Sequence, residues 1–296
     1  MFPPVHNNDQ QLIRVLNELG IGAAALIARG GEATVYRYDS QHIARIAHAG
    51  TSLEHVSLRQ EVLGELATSA DRLSFAIPSV REKLAVQGRI VTIEPYLGGQ
   101  TLESALVSAS TEQRQVLALA ALEAVSELRQ LSLQRSAYCD LYWDPPTSAP
   151  TWAGYLEQRA RRSLERAGAS FAGVDPAALA APFDREPERG FLHFDCYPQN
   201  ILVDGDRVTG IVDFGGMCMS GDPRFDPLTA AIYLGAGPRS EDSWGVRATC
   251  CAWLAGANLL QWLGAAEQIV AAIWSFAQDD PVVAKWSRRV LLGEVD

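Results

Sequence analysis

The chain has 296 residues, of which 48% are hydrophobic and 20% charged, and a formal net charge of −10 at pH 7. That length holds one large domain or two lobes sharing an interface, and the apolar content sustains a sizeable core, which excludes a disordered class. The acidity excludes a general nucleic-acid binder, which needs clustered Lys and Arg against phosphate, and suits a cationic or neutral small-molecule partner.

Several further classes are set aside by particular stretches. Five cysteines, at 139, 196, 218, 250 and 251, contain no C-x-x-C pair and no regular spacing. They read as thiols in a reducing compartment, so a cytoplasmic location is expected. MFPPVHNNDQ lacks a basic region followed by an apolar run, and no signal peptide is expected. The uncharged span at 248–266, ATCCAWLAGANLLQWLGAA, is long enough for a membrane helix. Asn258, Gln261 and its glycines dilute it, and no basic cluster flanks it, so a buried helix and no membrane partner are expected.

Taken in chain order, Asn8 to Leu19 reads as a short helix with Leu12, Ile13, Leu16 and Leu19 on one stripe. RGGEATVYRYDSQHIARIAHA reads as two strands around a turn at Asp39-Ser40, entered through Gly30-Gly31. SLEHVSLRQEVLGELAT follows as an amphipathic helix capped by Ser52. Strands are expected at Pro78–Val86 and Arg89–Glu94, with a turn at Gln87-Gly88 between them. After EPYLGGQTL the pattern turns helical, at 111–131 and 151–167, with a Pro-rich loop, DLYWDPPTSAP, between. Residues 172–190 read as partly irregular, and everything beyond Asp226 as helical. The expected architecture is α+β, with a small β-rich lobe at 1–97 and a larger helical lobe at 98–296. No internal repeat is visible.

The stretch at 193–216, HFDCYPQNILVDGDRVTGIVDFGG, concentrates the chemistry. Ile201-Leu202-Val203 and Val208 to Val212 are short apolar runs, and the Asp204-Gly205 step between them is a strong hairpin signal. An antiparallel hairpin brings Asn200 and Asp213 together at its open end. An amide oxygen and a carboxylate converging there are hard ligands of the kind Mg²⁺ accepts, with phosphate and water completing its shell. Asp195, five residues before Asn200, lies on the loop entering the same end. It is placed to accept a proton from a group bound beside the metal. Either acid alone would more often be a turn residue; three in this order point to a site.

H-x-D-x-x-x-x-N followed by D-F-G resembles the catalytic and metal loops of the protein-kinase-like superfamily. With Gly221-Asp222-Pro223 and Asp226 downstream, the sequence is more closely similar to the aminoglycoside phosphotransferase and choline kinase branch. The resemblance runs from about residue 29 to 230 and implies a two-lobed kinase fold that moves the γ-phosphoryl of ATP to a small-molecule hydroxyl with Mg²⁺. It implies Asp195 as the catalytic base and Asn200 and Asp213 as metal ligands. Arg45, in HIARIAHA, takes the place of the family's phosphate-binding cation, with Glu61 on the following helix as its carboxylate partner. Gly30 and Gly31 fit a phosphate-covering turn. Pro95 has no N–H, so the purine is expected to meet Tyr96 or Leu97 as donor and the Glu94 carbonyl as acceptor. His193 is expected to tie the loop backbone. The family often has Gly where this chain has Phe194, and Gly216 stands where an acid commonly follows D-F-G.

Alternatives are narrowed by what is missing. Of 25 Lys and Arg residues only Lys83 and Lys285 are lysines, so a Walker A loop is absent. There is no G-x-S-x-G elbow, no metal-binding histidine set, and no A-P-E segment of a protein kinase. A silent kinase-like binding module would be free to lose Asp195, Asn200 or Asp213, and all are retained. For the acceptor, the candidate acids are Asp140, Asp144, Glu157, Asp226, Glu241 and Asp242, with Trp143, Trp152 and Tyr155 as stacking or cation–π surfaces. An aminoglycoside or related antibiotic is the first expectation, and a choline, homoserine or sugar type of acceptor the second.

Overall fold

Helix α1 (Gln10–Glu18) opens the computed structural model, which describes positions 10–142, 146–185 and 187–294. Strands β1 (Leu26–Arg29), β2 (Ala33–Arg37) and β3 (His42–Ala47) follow, then helix α2 (Leu53–Ala67), β4 (Glu82–Val86) and β5 (Arg89–Pro95). The five strands form one antiparallel sheet in the order β1-β2-β3-β5-β4. The β4–β5 turn is a two-residue one in which Gln87 and Gly88 have φ of 50° and 75°. Positive φ at both positions gives the local twist that matches paired strands. β-branched residues at alternate positions bury Val91 and Ile93 with Ile46 and Tyr36 in a small core that α1 closes through Val15 and Leu16. Ser52 caps α2, its Oγ accepting the His55 N–H at 3.1 Å.

The buried stripe of α2 joins a different core. Val62, Leu63 and Leu66 pack into the large cluster of the second lobe. That lobe begins with β6 (Gln100–Thr101), α3 (Leu102–Ser108) and α4 (Thr111–Glu127), the last opened by a capping box of Ser110 and Gln113. It continues through β7 (Tyr138–Asp140), β8 (Ser148–Ala149), α5 (Trp152–Ala167), α6 (Pro176–Ala180) and β9 (Gly190–Leu192). β10 (Ile201–Asp204), β11 (Arg207–Ile211), β12 (Met219–Gly221) and α7 (Phe225–Tyr233) carry the motif region, and α8 (Arg247–Gly256), α9 (Leu263–Trp274) and α10 (Pro281–Leu292) close the chain. β6 pairs with β10, and β8-β7-β12-β9 form a four-stranded sheet.

The result is the small β-rich lobe and larger helical lobe expected of a protein-kinase-like fold. Three details depart from the sequence expectations. The Pro-rich stretch between 140 and 150 is not all loop, because Ser148-Ala149 pairs with Tyr138-Cys139. The helix expected to 131 ends at Glu127 and tightens into a 3₁₀ turn through Gln130. The uncharged span is broken: α8 stops at Gly256 and Asn258 takes φ of 58° before α9 begins. Among the described residues no helix is long and apolar enough to cross a membrane.

Packing explains one glycine of the G-D-P motif. A Cβ on Gly221 would lie 2.9 Å from both Leu192 and the Trp152 ring. Trp152 is 1% exposed, stacks on Tyr155 at 5.5 Å and meets the edge of Phe225 at 5.1 Å. Burying each such ring is worth roughly 1.5–3 kcal/mol, so β12 must yield the space.

Candidate active site

The β10–β11 hairpin turns at Gly205-Asp206, with Asp204 opposite Arg207 and Gly205 at φ of 57°. At the other end Ile201 pairs with Ile211, and the Val212 N–H donates to the Asn200 carbonyl at 2.8 Å. Asn200 therefore sits beside the segment leading into Asp213. Its Nδ2 donates to the Asp195 Oδ2 at 3.0 Å and to the Asp195 carbonyl at 2.9 Å. A carboxylate only accepts, so this assigns the amide orientation and leaves the Asn200 Oδ1 as a free acceptor type. The structure thus brings together Asp195, Asn200 and Asp213. Asp213, at φ of 63°, is exposed to the cleft, and among the described residues nothing donates a hydrogen bond to its carboxylate.

The loop bearing Asp195 is held from behind. Buried Asp226 on α7 accepts the His193 N–H at 3.0 Å and the Phe194 N–H at 2.7 Å. His193 is fully buried and lies 2.9 Å through Nε2 from the Val212 carbonyl. Burial lowers its pKa to about 4, so the ring is neutral and Nε2 carries the proton it donates to that carbonyl. It ties the segment bearing Asp195 to the hairpin. Phe194 has φ of 66°, the left-handed region where glycine is at ease. That backbone costs roughly 1–2 kcal/mol in a bulky residue. The buried Phe194 ring, the Asp226 bond, and a Tyr233 hydroxyl donating to the Phe194 carbonyl at 3.3 Å hold it.

On the sheet side, Arg45 is paired with Glu32, not Glu61: its NH2 reaches the Glu32 Oε2 at 3.0 Å. Glu61 is exposed on α2, roughly 200° around the helix from Arg59, which points inward. The inward residue of α2 is therefore a cation. Arg59 grips Glu94 of β5 at 2.7 and 3.2 Å, with both side chains no more than 5% exposed, and Thr92 donates to the same Glu94 carboxylate at 2.7 Å. Neither Glu32, next to the expected turn, nor Arg59 was singled out from sequence. The stripe Val56, Arg59, Val62, Leu63 and Leu66 carried the signal for Arg59, since an arginine within it must find a buried carboxylate.

The remaining expected nucleotide contacts are placed as follows. Gly30 and Gly31 form the β1–β2 turn, with the Gly30 N–H on the Ala33 carbonyl at 2.9 Å. The Tyr96 N–H is already donated to the Gln41 carbonyl at 2.7 Å, and its ring lies under the Arg37 guanidinium at 3.2 Å. Tyr96 is thus committed to the β3 approach, which leaves Leu97 as the donor of the expected pair. The Glu94 side chain is committed to Arg59.

The electrostatics follow from this arrangement. Protein packed around Asp195, then the neighbouring Asp213 charge, pushes its carboxyl up to about 7, against the Asn200 hydrogen bond. Asp213 is raised by its surroundings and by Glu32, and lowered by Arg45 and Arg59; its direct exposure to the cleft screens the shift. Burial works to raise Glu32, but Arg45 and the Gly216 N–H outweigh it and keep it ionised. An exposed carboxylate without a donor, crowded by a second acid, fits a divalent cation held with Asn200 and few other protein ligands. Among the described residues no cluster of three or more His, Cys, Asp or Glu could hold a metal by itself.

Among the described residues, the acceptor acids named from sequence are engaged with other partners. Asp140 is buried against Arg159 at 2.8 Å and the Tyr155 hydroxyl at 2.7 Å, and Asp226 is buried behind the loop. Glu157 pairs with Arg161, Glu241 pairs with Arg289, and Asp242 caps Val246 and Arg247. Trp152 and Tyr155 are core. Trp143 and Asp144 lie outside the described residues. The charge of Asp195 is felt instead by Cys196, Tyr197, Cys218 and Tyr233, all held above their ordinary pKa first by burial; Tyr197 is also under the field of Glu103 and Asp280.

A five-stranded sheet carrying a strand-borne cation over a hairpin bearing converged acids defines the protein-kinase-like class of transferase fold. Residues 24–255 match the Phosphotransferase enzyme family, APH, and the chain belongs to that family. Similar solved structures include the streptomycin–ATP–APH(2″)-IIa ternary complex, at 14% identity over 98% of this chain and 95% of that one, with a TM-score of 0.60. A thermostable mutant of aminoglycoside phosphotransferase APH(4)-Ia in its apo form matches at 15% identity over 96% and 97%, with a TM-score of 0.63. The GDP complex of wild-type aminoglycoside 2′-phosphotransferase-IIIa matches at 13% over 97% and 98%, also at 0.63. A curated relative, the homoserine kinase of Methylobacillus glycogenes, is 34% identical over 65 residues, 22% of this chain and 18% of that protein.

Proposed function

We propose that this protein is an ATP-dependent, Mg²⁺-requiring O-phosphotransferase that phosphorylates a hydroxyl of a small molecule, an aminoglycoside or related antibiotic first. The observation that carries the reading is the convergence of Asp195, Asn200 and the cleft-facing Asp213 opposite Arg45. In this reading residues 1–97 form the nucleotide-binding lobe and 98–296 the lobe with the acceptor pocket, in a cytoplasmic protein. Asp213 and the Asn200 amide oxygen hold Mg²⁺, which when bound neutralises charge on the phosphates. Arg45 supplies the protein's cation to the phosphates, and the Gly30-Gly31 turn covers them. Asp195 orients the acceptor hydroxyl and takes its proton as the O–P bond forms and ADP leaves. Similarity in fold to aminoglycoside phosphotransferases solved with ATP, ADP or GDP supports this class of acceptor and a purine nucleotide. The short homoserine kinase match favours, as a second reading, an amino-alcohol acceptor of metabolic type.

The test is ADP release from Mg·ATP against a panel of aminoglycosides, other hydroxylated antibiotics, sugars and amino alcohols, with product mass as readout. Asp195→Ala is expected to lose at least about 10²-fold in turnover, the usual worth of a general base, while still binding Mg·ATP. Wild-type turnover in that variant removes Asp195 from its role.

A further inference from the structure

The cation expected to meet phosphate is held in an unexpected way. In the fold's usual logic a carboxylate from the helix after β3 would orient it, yet α2 turns Glu61 outward and Arg59 inward, and Arg59 is used up by Glu94. What faces Arg45 is Glu32, the last residue of the turn that Gly30 and Gly31 begin. The pair is largely shielded, with Arg45 12% and Glu32 19% exposed, so it holds a geometry that a surface pair would not.

The second oxygen of Glu32 makes a separate connection. Its Oε1 accepts the Gly216 backbone N–H at 2.8 Å, across 184 residues of sequence and from the opposite lobe. Gly215 gives this approach its room: a Cβ there would stand 3.1 Å from both Glu32 oxygens and 3.3 Å from the Asp213 Oδ1, so these carboxylates would have to give by a few tenths of an ångström. The turn itself is tied to β3, the His48 N–H donating to the Glu32 carbonyl at 3.0 Å and the His48 ring meeting the Gly30 carbonyl at 3.0 Å. One carboxylate therefore joins the glycine turn, the sheet's cation and the segment that carries Asp213.

We propose that Glu32 is the positioning residue of the nucleotide site: it orients Arg45 toward the phosphates and locks the glycine turn to the Asp213 segment, taking the part that a helix carboxylate would otherwise play. This rests on the phosphotransferase reading above. Glu32 acts through Arg45 and the Gly216 backbone; it touches neither the acceptor nor the transferred group. The turn and the segment that carries Asp213 are thereby held in one fixed relation.

The experiment uses the full chain with Glu32→Gln, Glu32→Asp, Arg45→Met and the Glu32→Gln/Arg45→Met pair. Titration calorimetry measures Mg·ATP, with adenosine as a probe that lacks phosphates. Glu32→Gln keeps shape and removes charge, and is expected to weaken Mg·ATP about tenfold or more while leaving adenosine unchanged. Glu32→Asp is expected to recover part of the loss. The double variant is expected to fall well short of the product of the single effects, because Glu32 works largely through Arg45. Mg·ATP bound by Glu32→Gln as tightly as by wild type, or more tightly, overturns the proposal, since the carboxylate is then idle or in the way. Multiplicative effects overturn it as well. Should Glu32→Gln lose adenosine too, the comparison passes to Glu32→Asp, where equal losses for both probes mean a merely structural role. A wild-type protein that binds adenosine but gains nothing from Mg-triphosphate sinks the phosphotransferase reading itself, a result distinct from wild-type binding with an unaffected Glu32 variant.

Discussion

At the scale of single residues, the site places charge where charge is costly. Asp195 keeps its proton up to about pH 7 in the folded protein, whereas an unfolded aspartate releases it near its ordinary value of 3.8. Between those limits the folded state binds more protons, so this group's contribution to stability falls as pH rises through the window. Asp195→Asn removes the titration and can still accept from Asn200. Its melting temperature is expected to exceed that of wild type at pH 8, with the difference shrinking toward pH 4; an unchanged gap across that range would contradict the raised pKa. The order and spacing of Asp195, Asn200 and Asp213 were legible in the sequence because a hairpin is local: a short turn and strand register bring them together. The left-handed φ of Phe194 was legible only as an oddity, a bulky side chain at a place where glycine is common, and the cause lies in Asp226 drawing both backbone N–H groups toward itself.

At the scale of elements, α2 is the bridge. Its apolar residues pack into the second lobe's core, while Arg59 reaches back to Glu94 on β5 in the first. Burial alone would lower the arginine and raise the glutamate; the attraction between them reverses both, and the pair stays charged. Arg59→Met leaves the Glu94 carboxylate buried without its partner and is expected to cost about 3–5 kcal/mol in chemical denaturation. Adding Glu94→Leu is expected to return most of that loss, since the penalty is for an unpaired charge more than for a missing bond. The amphipathic character of α2 was visible in its spacing, and so was its Ser52 cap. The resemblance implies Glu61 as the inward carboxylate, yet the buried stripe of the helix runs through Arg59, two residues earlier, and leaves Glu61 exposed. The short strands β6 to β9 escaped notice because two- and three-residue ladders have no periodicity to read.

At the scale of the whole molecule, the two lobes are stitched near the site as well as through α2. The Ala76 N–H donates to the Thr209 carbonyl at 3.0 Å and the Ile211 N–H to the Ala76 carbonyl at 3.1 Å, while at the start of the second lobe the Thr209 hydroxyl donates to the Gly98 carbonyl at 2.7 Å. The connector approaches so closely that a Cβ on Gly99, at φ of 120°, would come within 2.6 Å of the Thr209 Oγ1. These contacts hold the hairpin against the first lobe, so a ligand in the cleft is expected to stabilise both lobes together. By mass action Mg·ATP at a hundredfold over its dissociation constant adds about 2.7 kcal/mol. The corresponding rise in melting temperature is expected to vanish with excess EDTA and to be largely lost in Asp213→Ala. A rise that is indifferent to both would remove Asp213 as a metal ligand.

The sequence by itself determined the chemistry on offer: a hairpin carrying an amide and a carboxylate, an acid five residues upstream, an arginine where a lysine is common, and a net charge of −10. Those features depend on near neighbours, whose relative positions follow from backbone geometry. Only the tertiary structure decided who partners whom. Arg45 meets Glu32 across 13 residues, Arg59 meets Glu94 across 35, and Glu32 reaches Gly216 across 184. The candidate acceptor acids that turned out to be buried or capped belong to the same group. A buried charge takes whichever counter-charge the packing of α2, the sheet and the second core brings within reach. That choice is made by shape and desolvation over the whole molecule, and no spacing in the chain records it.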